Sequence, residues 1–568
     1  MIAAPAPARA ASQVRAVVRS RRTLRALPAY LPAVLIAVGG WSHRWNNEDA
    51  FINFRVVDNL FAGNGPVFNA GERIEAGTSP LWIGVLSVGR ALLGWLLPME
   101  WIAVLLCLVA AVAAFALAGR SALLGAAPDV PDESADPRAT VVPLGPLAVA
   151  SVAVVWDYAT SGLEMSLVWL WIAACWYVLV RAARGGEPSA RRRAAGAAVI
   201  GLAPLVRPDL GLMMVCFVAA WFVLVRPRRV AADLAALLAL PLTYQIFRMG
   251  YYASLVPSTA LAKDASGVHL GQGWHYLVDF VRTYSLWLPL AAIGATIVGR
   301  LRADRDPRRA TATAAMVAAA ALHGGYIVVV GGDYMHGRLL LPAFFAVALP
   351  ASLVLRGRAL PGLAVCTVTG VWALVALAWL RPAEPPPGIP EVADWRQIMG
   401  AKVVPDEVEL WPTGILASDI YDEGVRGYIG ALEPEAGPGR DPDDLVVVLG
   451  SIGIPAYQVG IDVWVVDIGG LAEPLAARTD IVPDRPAGHR KEVDPAWYVA
   501  RFGVVGDDPA ARDAARALDC EPIEDLLDAV TDDLTPGRFL SNVWHSAANT
   551  RLRIPPDPAE AAAELCPR

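Results

Sequence analysis

Residues 41–55 read Trp41-Ser-His-Arg-Trp45-Asn-Asn-Glu48-Asp49-Ala-Phe51-Ile-Asn-Phe54-Arg55. An apolar block ends where this stretch begins, and two adjacent carboxylates follow almost at once. Negative charge beside a lipid surface is repelled by anionic headgroups, so the pair needs a task. Three readings fit: a general base that deprotonates a hydroxyl, an oxygen ligand for a divalent cation that grips phosphate, or the acidic first turn of a helix. Position alone leaves all three open, the helix turn being the plainest.

Working outward, the apolar block begins near residue 28. Residues 1–27 before it carry Arg15, Arg19, Arg21, Arg22 and Arg25, which reads as a cytoplasmic tail and not as a cleavable signal. Hydrophobic residues make up 55% of the 568 and charged residues 18%. The mean hydropathy is +0.44, and the apolar blocks reach the roughly 20 residues that cross a bilayer. That pattern excludes an ordinary soluble enzyme. Tryptophans at block ends (Trp41, Trp45, Trp156, Trp274) suit the membrane interface.

Charge divides the chain. From Arg381 onward there are 34 acidic and 16 basic side chains, leaving 20 acidic and 32 basic before it. A basic membrane portion followed by an acidic exported domain, 381–568, accounts for that split. The positive-inside rule places Arg181–Arg193, Arg226–Arg229, Arg300–Arg309 and Arg356–Arg358 inside. Single spans near 163–181, 194–206, 209–226, 231–249, 276–299, 310–330, 338–355 and 359–380 then alternate. Residues 80–97 and 99–119 together break the parity, so 80–97 is expected to be re-entrant or interfacial, or one block to be miscounted. The expected fold is a polytopic α-helical membrane protein of about eleven spans, with an extracytoplasmic C-terminal α/β domain. The N-terminus lies in the cytoplasm, in a plasma membrane.

Five polar segments emerge on the outer face in this threading: 43–79, Ser161–Glu164, Arg207–Asp209, 250–275 and Gly331–Arg338. Their convergence is the strongest argument for a site. Arg is suited to a departing phosphate. Arg338 and His336 follow a Gly331-Gly332 turn at the start of a helix, where anions are favoured. Lys263 and Arg207 are further phosphate or lipid-binding candidates, set against plain readings as a solvated loop lysine and a topological stop. Arg55, Glu75, Asp333 and Glu164 are candidates for the acceptor side or the loop. Glu48, Asp49 and Glu75 supply enough oxygens for a divalent cation such as Mg, Ca or Mn, without diagnostic spacing. His275 and His323 read as structural.

In the outer domain, residues 444–450 and 462–467 read as buried strands, with helices near 508–518, 523–530 and 556–566. Pro382–Pro390 is a stiff linker. Gly450-Ser-Ile-Gly453 is too weak for a nucleotide fingerprint. Trp395, Trp411, Tyr457, Trp497 and Trp544 suit a core, or stacking on sugar rings in a carbohydrate-binding domain. Cys520 and Cys566 are the two cysteines of this domain, and export would favour a disulfide between them. Cys107, Cys175, Cys216 and Cys366 lie in apolar blocks as small hydrophobes.

An acidic pair in the first outer loop resembles the signature of the GT-C superfamily of integral-membrane glycosyltransferases. Glu48-Asp49-Ala-Phe51, Gly65-Pro-Val-Phe68-Asn69 and Gly71-Glu72-Arg73 resemble, more narrowly, the actinobacterial terminal arabinofuranosyltransferases. So do Ser161-Gly162-Leu163-Glu164, Arg207-Pro208-Asp209, Gly331–Arg338, and Asp467–Leu471 through Gly488–Lys491. Glu48 departs from the expected Asp-Asp, which makes Asp49 the safer base. The resemblance implies a GT-C-like catalytic domain over 28–380. It implies transfer of arabinofuranose from decaprenyl-phosphoryl arabinose to the ends of cell-wall arabinan, in arabinogalactan or lipoarabinomannan. The implied step is an inverting-type displacement with Asp49, beside Glu48, as general base. Competing readings are another polyprenyl-phosphate-sugar transferase, such as a mannosyltransferase, a transporter or flippase of envelope glycolipid, and a non-catalytic scaffold that binds sugar. Against transport stand the sparse mid-span charges and the lack of a visible inverted repeat.

Overall fold

The computed structural model describes residues 26–126, 140–226, 230–263, 267–355, 360–382, 392–394, 396, 446–481, 490–491, 493–503 and 505–566. Most of the basic tail, the proline linker, Arg358, Trp395 and Trp411 lie outside the described residues.

Six described helices are long and apolar enough to cross a membrane: Met99–Ala126, Met165–Ala183, Pro208–Val225, Val230–Tyr251, Pro307–Val329 and Leu360–Ala378. The chain is a polytopic membrane protein. A seventh span is reached if Leu270–Thr283 and Trp287–Ala303, bent by 87° at their junction, count as one. About eleven spans were expected. The shorter apolar helices Leu27–Ser42, Pro80–Leu93 and Arg338–Ala348 fall where three of those had been placed. The expected span 194–206 is two pieces, Ala190–Gly201 and Ala203–Val206. The one near 276–299 is corrected too: Ser285 takes a left-handed φ of 49°, which turns the chain through the bend. The amphipathic Leu270–Thr283 is thereby laid across the neighbouring turn.

The long helices have two distinct ends. Arg308, at the start of Pro307–Val329, donates to Ala182 O and Leu224 O, the last turns of two other spans. Arg184 donates to Leu124 O, and Arg193 pairs with Asp233 at 2.7 Å. These arginines gather at one end; the five polar segments gather at the other. Pro80–Leu93 starts beside Thr78 of the cavity described below. Its Arg90 lies 3.7 Å from Asp58 of helix Glu48–Ala62. It packs against that helix.

The C-terminal unit holds a parallel pair of strands, Val446–Leu449 and Trp464–Asp467, registered Val446 opposite Trp464 and Leu449 opposite Asp467. Alternate side chains point to opposite faces of a sheet. Val446 and Val466 pack on the unit's own helices, with Trp497 and Ile523. Val447, Leu449 and Val465 pack on Ile52, Val56 and Phe68 of the first loop. Both faces are covered, so the strands read as unbroken apolar runs. Helices Pro509–Leu518, Glu521–Thr531 and Pro558–Leu565 lie where the sequence placed them. Cys520 and Cys566 are joined as a disulfide with Cα atoms 5.1 Å apart.

Candidate active site

Asn47 caps helix Glu48–Ala62, its side chain accepting from Asp49 N at 2.9 Å. Glu48 and Asp49 therefore form the acidic first turn of a helix; their side chains hydrogen-bond each other while reaching different further partners. Glu48 turns to the C-terminal unit. Its Oε1 accepts from Ser451 Oγ and from Gly453 N, each at 2.6 Å. Burial, with the charge of Asp49 beside it, pushes the Glu48 carboxyl up to about 7. Gly453 is required by this approach: a Cβ there would stand 2.0 Å from Glu48 O.

Asp49 turns inward, its Oδ2 3.5 Å from Arg338 Nη1. Gly331 and Gly332 take φ values of 97° and 75°, folding the chain so that Asp333 Oδ2 stands 3.6 Å from Arg338 Nη1. Arg338 Nη2 is 4.0 Å from Glu164 Oε1, and that same oxygen accepts from Arg207 Nη1 at 2.7 Å. Arg207 Nε donates to Asp209 at 2.9 Å, and Asp209 meets His323 Nε2 at 2.8 Å. One chain of alternating charge thus runs from the loop acid through four of the five expected segments. Burial would lower the Arg338 guanidinium's pKa, but Asp333, Glu164 and Asp49 raise it and hold it protonated. Its buried Nε has no hydrogen-bond partner among the described atoms.

Beside this chain lies a cavity of about 150 Å³, lined by Arg207, Lys263, Asp333 and Arg338, with Thr78, Asp209, Thr259, Tyr326 and Arg490. Apolar walls come from Pro257, Ile327, Val330 and Leu339. The fifth segment, 250–275, joins through Thr259 and Lys263. The structure so brings together Asp49, Glu164, Arg207, Lys263, Asp333 and Arg338. Sequence reasoning missed Asp209 as more than part of a stop, and missed Thr78, Tyr326 and Arg490 as lining. Only the motif around Arg490 signalled it.

Four candidates lie elsewhere. His336 Nδ1 is 2.5 Å from Asp279 Oδ2, and its ring lies near Phe280 and Tyr284, away from the cavity. Arg55 donates to the carbonyls of Phe68, Ala456, Gly460 and Val463 at 2.9, 2.6, 2.5 and 2.7 Å; it ties the loop to the C-terminal unit. Glu75 is taken by Arg248 at 2.5 Å and Tyr244 at 2.7 Å. Glu48 is held by Ser451 and Gly453. Glu48, Asp49 and Glu75 do not converge, and no group of three or more His, Cys, Asp or Glu among the described residues is placed to hold a metal ion.

A terminal beta-(1->2)-arabinofuranosyltransferase of Mycobacterium tuberculosis is 32% identical to this chain, covering 92% of it and 94% of the relative. This chain belongs to the terminal β-(1→2)-arabinofuranosyltransferase family. A second such arabinofuranosyltransferase, from Corynebacterium glutamicum, is also 32% identical over 95% of this chain and 88% of its own length. The AftB family C-terminal domain matches residues 435–564, which takes in both described strands of the C-terminal unit and its described helices up to residue 564. No solved structure matches the chain. Membership makes the chain an arabinofuranosyltransferase by family, and so a glycosyltransferase.

Proposed function

We propose that the donor is decaprenyl-phosphoryl arabinose and the acceptor a terminal hydroxyl of arabinan in arabinogalactan or lipoarabinomannan. The observation that carries this reading is Asp49 placed 3.5 Å from Arg338, which itself lines a cavity with Arg207 and Lys263. A carboxylate able to take a proton stands beside cations able to take a phosphate. Asp49 accepts the hydroxyl proton as the acceptor oxygen forms its bond to the anomeric carbon. The bond from that carbon to the phosphate oxygen breaks, and its electron pair leaves with the polyprenyl monophosphate. Arg338, oriented by three carboxylates, meets the charge that builds on the phosphate. The apolar walls suit the first isoprene units of the lipid.

The site end of the bundle then faces the extracytoplasmic side, with the N-terminus in the cytoplasm and the C-terminal unit outside. The Cys520–Cys566 disulfide supports that placement, because disulfides persist in oxidising compartments. Glu48 serves as the fastening point of the C-terminal unit, and Asp49 as the base.

Transfer assays with synthetic decaprenyl-phosphoryl arabinose and the matching mannose donor test the reading. Turnover with arabinose alone is expected, strongly reduced in Asp49→Asn. Turnover with mannose alone would move the chain to another donor class, and turnover with neither would remove the enzymatic reading.

A further inference from the structure

Helix Pro536–Arg551 of the C-terminal unit lies against the end of a span, Val230–Tyr251. A Cβ on Gly250 would overlap the Phe539 ring, and Asn542 Nδ2 donates to Gly250 O at 3.0 Å. Helical residues four apart share a face, so Leu242, Ile246 and Gly250 form one stripe of the span. Leu242 and Ile246 are more than half exposed, and an exposed apolar stripe on a span faces lipid. Gly250 is buried because Phe539 covers it. At 1.5 Å per residue, Ile246 lies about 6 Å along the span from Gly250. The helix of the C-terminal unit is therefore seated on the lipid-facing stripe, one turn beyond its last exposed side chain. Tyr244, Phe247, Tyr251 and Tyr252 cluster at the same level, as aromatic rings do at a membrane interface.

The two sides of this helix differ. Asn542, Ser546 and Asn549 are buried against protein. Leu540 and Trp544, one turn apart, are 68% and 83% exposed. From residue 446 onward the described residues leave two other large hydrophobes exposed, Leu534, just before this helix, and Ile468. Trp544 is thus no core residue, and a leucine stands beside it where a sugar-binding groove would place hydrogen-bonding groups. The helix holds Arg538 and Arg551 and no acid, and Arg553 follows it; Arg538 is engaged with Asp532. Anionic headgroups repel the acidic remainder of the unit and attract this basic edge.

We propose that the Leu540–Trp544 edge of helix Pro536–Arg551 enters the headgroup zone of the adjoining lipid leaflet, docking the C-terminal unit on the bilayer as well as on the first loop. Amphipathic helices with tryptophan and leucine on one side and arginine on the other bind membranes in this way. Thr550 of the same helix accepts from Leu255 N at 2.8 Å, so the segment that runs on to Thr259 and Lys263 of the cavity is held at the level of the headgroups. The docking needs only the membrane bundle and is independent of the donor sugar.

The test uses the full chain in nanodiscs of mixed phosphatidylcholine and phosphatidylglycerol, in a Cys216→Ala/Cys366→Ala background. A nitroxide is attached through Trp544→Cys or, separately, Leu540→Cys. Val215→Cys, at an exposed position of the span Pro208–Val225, serves as lipid reference. Asp507→Cys, at a fully exposed position of the C-terminal unit, serves as water reference. The ratio of oxygen to nickel-chelate collision rates, which rises with depth in lipid, is expected to be severalfold higher at 540 and 544 than at 507, and lower than at 215. A ratio at either position equal to that at 507 would overturn the proposal. So would low collision with both reagents, the mark of a protein partner over this face. Shielding at 544 that appears only when a soluble arabino-oligosaccharide is added would make the edge a sugar-stacking surface and overturn it as well.

Discussion

Ser451 Oγ donates to Glu48 Oε1 at 2.6 Å, joining residues 403 positions apart in the chain. The contact separates the two acids of the first loop by task. Glu48 is spent on the C-terminal unit, and Asp49, next to it, is left facing Arg338. Asp49→Asn keeps the helix cap, because the cap uses the Asp49 backbone N–H. Its expected effect is a fall in kcat of about 10²- to 10⁴-fold, the usual worth of a general base, with melting temperature nearly unchanged. Glu48→Gln, which keeps an acceptor oxygen for Ser451 and Gly453, should retain most activity. Steady-state kinetics on both variants, alongside thermal melts, check the pair.

A base and a nucleophile differ in stereochemistry. With Asp49 as base the displacement is single, and the product anomer is opposite to the donor's. NMR of the product glycoside against the donor phosphate reads this directly. Retained configuration would turn Asp49 into a nucleophile, with a covalent glycosyl intermediate to be trapped.

Arg338 holds three carboxylates together, so its removal leaves buried charge uncompensated. Arg338→Ala is expected to cost about 3–5 kcal/mol of stability, as breaking a buried ion pair does, as well as donor turnover. Arg338→Lys keeps the charge but loses the fork that spans Asp49, Asp333 and Glu164. It should melt close to wild type and still lose most of kcat/KM. A lysine variant with full activity would contradict the phosphate role.

The pH dependence of stability has a defined sign. Glu48 stands at about 7 in the folded protein against an ordinary 4.5, and Glu473, raised chiefly by burial, also stands at about 7. A carboxyl whose folded pKa is raised favours folding while protonated. Its contribution is fully present below about 4.5 and is lost as pH rises through 7. Melting temperature should therefore fall between pH 5 and pH 8, and Glu48→Gln should flatten part of that fall. A wild-type melting temperature that rises across this window would contradict it.

Gly453→Ala probes the fastening from the other side. The new methyl would meet Glu48 O at 2.0 Å and Glu48 Oε1 at 2.5 Å, so the turn must move away. A loss of about 1–3 kcal/mol, the usual range for overpacking, should appear in melts. A reduced kcat should accompany it, since Asp49 rides on the same helical turn.

Much of this site was legible because chemistry and topology agree at a few positions. The arginine clusters gave two ends to the bundle. Ser161–Glu164, Arg207–Asp209 and Gly331–Arg338 then had to meet, and Glu164, Arg207 and Arg338 do meet. The strands 446–449 and 464–467 stood out because both faces are buried. What stayed hidden depended on long-range packing. Nothing local separates Glu48 from Asp49; Ser451 and Gly453, some 400 residues on, make the difference. His336 looked like a phosphate ligand from its place in the turn, but Asp279, about two turns along Leu270–Thr283 from the Arg490 partner Gln272, holds it away from the cavity. Arg55 and Glu75 were candidates for the acceptor side or the loop to sequence reasoning, and are buried ties to Val463 and Arg248. The described long helices number fewer than the expected spans because three apolar helices are short, Leu27–Ser42, Pro80–Leu93 and Arg338–Ala348, and one apolar block breaks after Gly201; hydropathy registers neither helix length nor a break.

Arg55, in the helix behind the loop acids, is satisfied by the carbonyls of Ala456, Gly460 and Val463. A growing chain makes Arg55 long before it makes any of those partners. Until then Arg55 has only Phe68 and Asn69 of its own loop to bond, and Glu48 lacks Ser451 and Gly453. The site closes only when the last third of the polypeptide has been made and delivered to the same side. An incomplete chain that reaches the bilayer would hold the base and the arginine without the clasp that fixes them, so competence for transfer arrives with the C-terminus.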